Sequence, residues 1–477
     1  MASEPVLVLQ MQRMGDIILS FPLFLWLRRQ APDRPVWVVA EKSFYDQLLG
    51  ISPQVTYLPW TATEVLASRG YSQLVNLSHR PEAARLAGQL EAARKLGPVL
   101  SEGSLNVFGR WQLYRTSLTG NNRHNRFHWA ELNALDCVEP AQFAATRFDP
   151  PRTLGGEAGR AVGLFVGASE ANKRPEPAFW AGLALELERR GLKPVLMGGP
   201  AEMELCAEVR RLHGGKLVDT SGRLSLKEFM AVGQTLGLLV TPDTGPMHLA
   251  AWSGLKTLNL SMGPVNPWET GPFQPGHFVL RASMSCLDCW RCRHETPRCR
   301  DRFDPGQVAY LAWRVVKTGG EGRLAPPPGM RLFRTGRTPE GFYDLVPVGS
   351  RARRAPDILG ELWRGVFGAF FGLWDGSRPG RSWAALRGEF PALARAFGRE
   401  LAALAARLSA QGASRPGDGF WRASPPMLRP LAGYLHMRLQ NEDFSASALA
   451  ECLELVARLG EILSAWGPGR EEDSGRI

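Results

Sequence analysis

The sequence has no run of about eighteen apolar residues, which excludes a conventional membrane-spanning helix. Its opening, Met-Ala-Ser-Glu-Pro, lacks the basic start and apolar core of a secretory signal, so the chain is expected to stay in the cytoplasm. Cysteine is sparse, with seven in 477 residues. Cys137, Cys206 and Cys452 stand far apart and read as buried, reduced thiols, as a cytoplasmic setting allows. Acidic residues are outnumbered, 46 against 57 Lys and Arg, for a formal charge of +11. That excess favours anionic partners: nucleic acid, an acidic membrane surface or a phosphorylated substrate. Arg dominates it, and much of the Arg lies on amphipathic helical stretches, where a solvated face is the competing explanation. No compact basic reading helix or aromatic RNA-binding motif is present, so nucleic acid is not expected as a partner.

What is present looks like an ordinary globular composition, 44% apolar and 22% charged. The length is too great for one core and suits two or three domains. The most informative stretch is Leu238 to Ser253, Leu-Leu-Val-Thr-Pro-Asp-Thr-Gly-Pro-Met-His-Leu-Ala-Ala-Trp-Ser. An apolar run at Leu238 to Val240 is broken by Pro242 to Gly245, and Pro246 suits the first turn of a helix that Gly254 can end. The spacing therefore predicts a strand, a tight polar turn and a helix. Free N–H groups at such a helix start, with its positive dipole end, form an anion site beyond the strand's carboxyl end. Asp243, Thr244 and His248 place polar side chains around it, and Gly245 permits close approach of a ligand. The plainer alternative is that Asp243 and Thr244 only cap the helix and His248 is a satisfied, half-buried side chain.

Near the start, Val6 to Leu9, an apolar segment from Ile17 through Leu27 and Val36 to Ala40 make one βαβ unit of a parallel sheet. Asp16 follows the first of those strands, where ligands bind in such sheets, although an N-cap role would place it there too. Val55 to Leu58 and Leu74 to Leu77 read as further strands, and Pro81 to Lys95 as a helix. Asn121, Asn122, Arg123, His124 and Arg126 crowd together, as a solvated loop or as contacts to an anionic acceptor. A helix is expected from Phe127 to Cys137, and Glu139 to Glu157, rich in Pro and Gly, reads as a linker. The second half repeats the alternation: strands at Val162 to Val166, Pro194 to Met197 and Thr257 to Leu260, with helices at Ala178 to Arg190 and Ser225 to Gln234.

The Asp243-Thr244-Gly245-x-x-His248 wording resembles the corresponding segment of the family 9 glycosyltransferases, whose best-known members are lipopolysaccharide heptosyltransferases. The string Arg13-Met14-Gly15-Asp16-Ile17-Ile18-Leu19-Ser20-Phe21-Pro22 is similar to that family's opening motif, and the turn Gly263-Pro264-Val265-Asn266-Pro267 resembles its Gly-Pro-Thr-Asp-Pro turn, with Val265 and Asn266 as departures. The resemblance covers about the first 320 residues. It implies an α/β fold of two Rossmann-like domains, of glycosyltransferase B type, with a C-terminal α-helical appendage. The implied boundaries are 1–150 for an acceptor-side domain and 156–320 for a donor-binding domain; beyond the resemblance, composition reads 321–356 as a linker with room for a short hairpin around Phe342 to Val346, and helical spacing reads 357–477 as a helical accessory domain. The implied activity is inverting, metal-independent transfer of a heptose from ADP-heptose to a lipopolysaccharide core. Transfer to another glycan or to a protein is the alternative within the class, and a non-catalytic nucleotide-sugar-binding protein the alternative outside it.

Residue by residue, the resemblance makes Asp16 the general base on the acceptor hydroxyl and puts Arg13 on the acceptor side. Asp243, Thr244, Gly245, Pro246 and His248 fall on the donor side. Lys173 falls where the family has a Lys-x-Trp-Pro pattern meeting the donor phosphates, but here Arg174 is followed directly by Pro175, so Arg174 shares or takes that role in a shifted register. Glu202 would face the nucleoside ribose, or else be a first-turn Glu answering a helix dipole. No cofactor is required for this chemistry, and no Asp-x-Asp metal pair stands in the donor half. A phosphorylated glycolipid acceptor implies a peripheral enzyme on the inner face of the cytoplasmic membrane. Cys286, Cys289, Cys292 and Cys299 are dense enough for four thiolates to reach one Zn or Fe ion as a structural site, or else are packed or redox-labile thiols. Beyond residue 357, apolar residues at helical spacing predict a small bundle. Its stripe of Trp363, Phe367, Phe370 and Phe371 is either that bundle's core or an interfacial membrane anchor.

Overall fold

The computed structural model describes residues 4–466 apart from 287, 288, 291, 322, 350, 351 and 412–416. In chain order the strands are β1 (Val6–Leu9), β2 (Val36–Ala40), β3 (Thr56–Pro59), β4 (Gln73–Asn76), β5 (Lys95–Ser101), β6 (Ser104–Phe108), β7 (Ala161–Phe165), β8 (Lys193–Met197), β9 (Val218–Asp219), β10 (Leu238–Pro242), β11 (Thr257–Ser261), β12 (Phe278–Ala282), β13 (Met330–Arg337) and β14 (Tyr343–Val348). The chain forms two compact units, one of Met1–Lys95 with Phe127–Arg351 and the other of Leu96–Arg126 with Ala352–Ile477.

The first unit holds two parallel sheets. One runs β3-β2-β1-β4, with Val8 opposite both Val38 and Val75. In the other, β9-β8-β7-β10-β11-β12 are parallel, and that order reverses direction between β7 and β10. Numbered within each sheet, both follow the Rossmann strand order, whose ligand crevice lies outside the carboxyl ends of the strands flanking the reversal. These are β1 and β4 in one sheet, β7 and β10 in the other. Every residue of β10, β11 and β12 is buried, the polar Thr241, Asn259 and Arg281 included, as in a parallel sheet covered on both faces. Trp180, Leu183 and Leu187 of the helix Pro177–Arg189 are wholly buried against this second sheet, in one core with Val162, Leu164, Val240 and Leu258.

Three expectations from sequence are revised. The stretch 321–356, taken as a linker, supplies β13 and β14, which pair antiparallel with β12 and with each other and so extend the second sheet. Its abundant Gly, Pro and Arg hide a strand pattern in which Met330, Leu332 and Phe333 are buried, and Gly341 makes the turn at φ +86°. The helix expected from Phe127 to Cys137 is one short turn, Trp129–Leu132, and that expected from Pro81 to Lys95 ends at Gln89, before β5.

The second unit contains the hairpin β5–β6, the helix Arg110–Ser117 and the C-terminal helices Ala355–Phe370, Ser377–Glu389, Pro391–Gln411, Arg429–Asn441 and Ala446–Ala465. Trp363 and Phe367 are wholly buried, and Phe367 lies 4.3 Å from Tyr114 and 5.6 Å from Tyr434, ring centre to ring centre. The aromatic stripe is therefore a bundle core, completed by a segment that precedes it by more than 200 residues in sequence. Asn122, His124, Asn125 and Arg126 are buried in the same unit, so this cluster is not a solvated loop. Burial and the neighbouring Arg126 and Arg123 lower His124 to about 3, which keeps it neutral. Among the described residues no helix is long and apolar enough to cross a membrane.

Candidate active site

The site is built from the turns that leave β1, β7 and β10. After β1 the helix Met14–Leu19 begins, and Asp16, its third residue, accepts the Arg13 N–H on Oδ2 at 3.1 Å. Asp16 thus does cap its helix. The same bond orients its carboxylate. After β10 the chain turns at Asp243, and the helix Gly245–Trp252 starts with Pro246 at its second position and stops before Gly254, at φ +75°. Thr244 makes no side-chain cap, Pro246 has no N–H and the Met247 N–H donates to the Thr244 carbonyl at 3.0 Å, so the Gly245 N–H is the donor this helix start leaves for a ligand.

The two turns meet. A Cβ on Gly15 would lie 3.4 Å from the Gly245 Cα, in ordinary van der Waals contact, so the two turns stand next to each other. The approach carries Asp16 into the field of Asp243. Asp243 is 15% exposed at its side chain, accepts the Thr270 hydroxyl on Oδ2 at 3.2 Å, and leaves its buried Oδ1 with no hydrogen bond. Burial raises Asp243 to about 6; Lys173 and Thr270 oppose the rise, and Asp16 adds to it. His248 lies 4.0 Å from Asp243 Oδ1, but burial lowers it to about 4, so at neutral pH this is a contact with a neutral imidazole and no ion pair. Its Nδ1 is also buried without a partner. Two buried polar atoms without a hydrogen-bond partner, on residues in contact with each other, mark this turn as a candidate ligand site.

Asp243 gives a pH prediction. Its native pKa is raised, so between about pH 4 and 6 the folded state holds a proton that the unfolded state has lost, and stability falls as pH rises through that window. Above it the full cost, about 3 kcal/mol, persists. Asp243→Asn is expected to be more stable than the parent chain at pH 7.5 by up to that amount, with the gap closing below pH 4 in thermal melts; a gap independent of pH would contradict the assignment.

After β7, Lys173 lies in a short turn, 20% exposed at its side chain and paired with Glu170 at 2.9 Å. That hydrogen bond lowers Glu170, to which Arg13 also contributes, so Arg13 lies near this turn as well as before Asp16. The Arg174 backbone N–H donates to the Ala171 carbonyl at 3.4 Å, and its side chain has no hydrogen bond or ion pair among the described residues. The Gly263–Pro264 turn packs on the same loop: a Cβ on Gly263 would fall 2.5 Å from the Asn172 carbonyl oxygen. Glu202 caps Gly199, whose N–H donates to Oε2 at 2.8 Å, and its carboxylate lies over Gly167, where a Cβ would meet Oε1 at 2.7 Å. It therefore stands beside the β7 turn, with one oxygen committed to the cap.

Sequence reading missed Thr270, Glu170 and the pair His128 and Glu131. Only Glu170 left a signal, at three residues before Lys173. His128 is buried, its Nε2–H donating to the Gly271 carbonyl at 2.9 Å while Nδ1 accepts the Ala130 N–H at 3.2 Å, and burial pushes its pKa well below the usual value. Glu131 is wholly buried and accepts the His128 and Tyr343 N–H groups, with Arg337 3.8 Å away.

The expected four-thiolate site is not assembled. Among the described residues no three His, Cys, Asp or Glu side chains are placed to hold a metal ion. Cys299 is buried and its Sγ accepts the Gly263 N–H at 3.2 Å, while Cys286, Cys289 and Cys292 are half-buried. Burial raises the Cys289 thiol to about 11, and Cys292, Cys299 and Cys286 push it the same way, so this thiol is protonated at neutral pH.

Two Rossmann-type sheets, with polar turns gathered at the switch points of both, define the glycosyltransferase B architecture, and the similarities to known proteins place the chain further. Residues 132–298 match the family model described as Glycosyltransferase family 9 (heptosyltransferase), so the chain carries a family 9 glycosyltransferase domain. Lipooligosaccharide heptosyltransferase 2 of Campylobacter jejuni subsp. jejuni serotype O:2 is 27% identical over 163 residues, 33% of this chain and 51% of that protein. Its serotype O:6 counterpart is 26% identical over 154 residues, 31% and 48% of the two chains. The chain thus spans about half the length of the curated relatives it matches. Among solved structures, a family 9 glycosyl transferase of Veillonella parvula DSM 2008 superposes with a TM-score of 0.52 at 19% identity, covering 66% of this chain and 98% of that one. The ADP-heptose lipopolysaccharide heptosyltransferase II of E. coli gives 0.50 at 17% identity, covering 67% and 100%. These two share the fold.

Proposed function

We propose that the chain is an inverting glycosyltransferase that moves a heptose from ADP-heptose to a phosphorylated lipopolysaccharide core. The observation that carries the reading is the convergence of Asp16 and the Gly245 helix start, whose turns are close enough that a Cβ on Gly15 would touch the Gly245 Cα. In this reading the lobe of residues 1–150 binds the acceptor and that of residues 156–320 the donor. Asp16 removes the proton of the acceptor hydroxyl as that oxygen attacks the anomeric carbon. The bond from that carbon to the diphosphate breaks in the same displacement, and the negative charge left on the diphosphate is met by Lys173, the Gly245 N–H and the positive end of the helix dipole behind it. Asp243 and His248 bind sugar hydroxyls through their vacant atoms, and Glu202 accepts from the ribose with the oxygen its cap leaves over. These charges suffice without a divalent ion. A basic chain acting on a phosphorylated, lipid-linked acceptor would work at the inner face of the cytoplasmic membrane.

The test is donor consumption across a panel of ADP-, UDP- and GDP-sugars in the presence of EDTA. Consumption of ADP-heptose with inversion at the anomeric carbon is expected, and indifference to every nucleotide sugar would overturn the reading. Lys173→Ala should weaken ADP binding about tenfold or more by calorimetry, as loss of a charged hydrogen bond does. Arg174→Ala should cost less; the reverse order would transfer the phosphate role to Arg174.

A further inference from the structure

We propose that the second unit contains a saccharide-binding pocket, lined by aromatic rings and by separate acidic and basic side chains, that takes a glycan of the acceptor. The cavity is about 480 Å³, within the size range of small-molecule sites. Its wall includes Phe370 and Phe371 at the end of one helix and Tyr434 on another, and the Phe371 and Tyr434 rings lie 5.4 Å apart. Phe370 and Tyr434 are buried, and the half-buried Phe371 supplies the apolar ring surface against which the C–H face of a sugar can lie.

The charged groups narrow the ligand. Arg438 is spent on Glu442 and Glu451, at 2.7 and 2.6 Å. Arg458 donates one bond to the Ala369 carbonyl at 3.0 Å, with its guanidinium 5.6 Å from the Phe370 ring centre. Arg110 and Glu454, by contrast, have no hydrogen bond or ion pair among the described residues, and both line the cavity. A polyanion would meet Glu454 as a like charge, and a cation would meet Arg110 in the same way. A hydroxyl-rich ligand suits both, because each hydroxyl can donate to the carboxylate and accept from the guanidinium. None of the residues lining this cavity has a part in the donor chemistry above.

Naming the saccharide as part of the acceptor rests on the glycosyltransferase reading, whereas the binding itself does not. The probes are a lipid-free lipopolysaccharide core oligosaccharide and inorganic phosphate, titrated into the full chain by calorimetry with saturation-transfer NMR in parallel. The oligosaccharide is expected to bind the parent chain, and Arg110→Ala and Glu454→Gln are each expected to weaken it about tenfold. Circular dichroism confirms that both rim variants are folded, and Asp16→Asn should bind the oligosaccharide at this pocket as the parent does. In a transfer assay the rim variants should raise the acceptor KM with kcat retained. Absence of oligosaccharide binding, binding of phosphate alone, or affinity unchanged in both rim variants would overturn the pocket. A chain that binds the oligosaccharide in this Arg110-dependent way but consumes no nucleotide sugar would refute the transferase reading and leave the pocket standing.

Discussion

Asp16→Asn is expected to slow glycosyl transfer by about 10²–10⁴-fold, the usual worth of a positioned general base, while ADP-heptose affinity stays as in the parent chain. Asn is the informative substitution because its amide oxygen can still accept the Arg13 N–H that Asp16 accepts at 3.1 Å. The helix start and the close Gly15–Gly245 contact should therefore persist, and the lost quantity is basicity alone. Calorimetry with the donor and single-turnover rates with saturating acceptor separate the two effects. A variant that transfers at the parent rate would remove Asp16 from the base role, and one that also fails to bind donor would mark the residue as structural.

The second large effect is on stability. Glu131 is wholly buried, holds the N–H groups of His128 and Tyr343, and is 3.8 Å from an Arg337 guanidinium that stacks 3.9 Å from the Phe273 ring. Burial lowers Arg337 to about 10, with Glu131 opposing the shift. Removing one partner of such a pair leaves a buried charge uncompensated, at a cost of about 3–5 kcal/mol. Glu131→Ala should lower the first unfolding transition of the full chain by that amount, and Glu131→Gln, which keeps an acceptor for Tyr343, by less. A loss below about 1 kcal/mol, the ordinary result of a surface change, would mean that the pair is not held as described.

What sequence made legible was local. The strand, turn and helix around Asp243 follow from an apolar run, Pro242, Gly245 and Pro246, all within about sixteen residues, and β1 with Asp16 follows in the same way. The structure returned both elements nearly as read, with the helix ending where Gly254 was expected to end it. What sequence hid was contact at long range. Nothing near Tyr114 announces that its ring packs on Phe367, and nothing near Thr270 announces a bond to Asp243. β14 lies where a short hairpin around Phe342 to Val346 was expected, but β13 was concealed, because Gly, Pro and Arg around it outweigh the buried Met330, Leu332 and Phe333 in a reading of composition. Cysteine spacing likewise sets chain distance but not side-chain direction, and Cys299 is engaged by the Gly263 turn. Asp16 shows a further limit: capping and catalysis looked like rivals in sequence, yet the cap is what orients the carboxylate.

The central claim is that the Asp16 carboxylate and the Gly245 helix start close on one sugar from opposite sides. A crystal structure of the Asp16→Asn chain with intact ADP-heptose tests it most directly. The account predicts the diphosphate within hydrogen-bonding distance of the Gly245 N–H and Lys173, and the anomeric carbon facing residue 16. A diphosphate bound away from that helix start, or a sugar turned from residue 16, would contradict it.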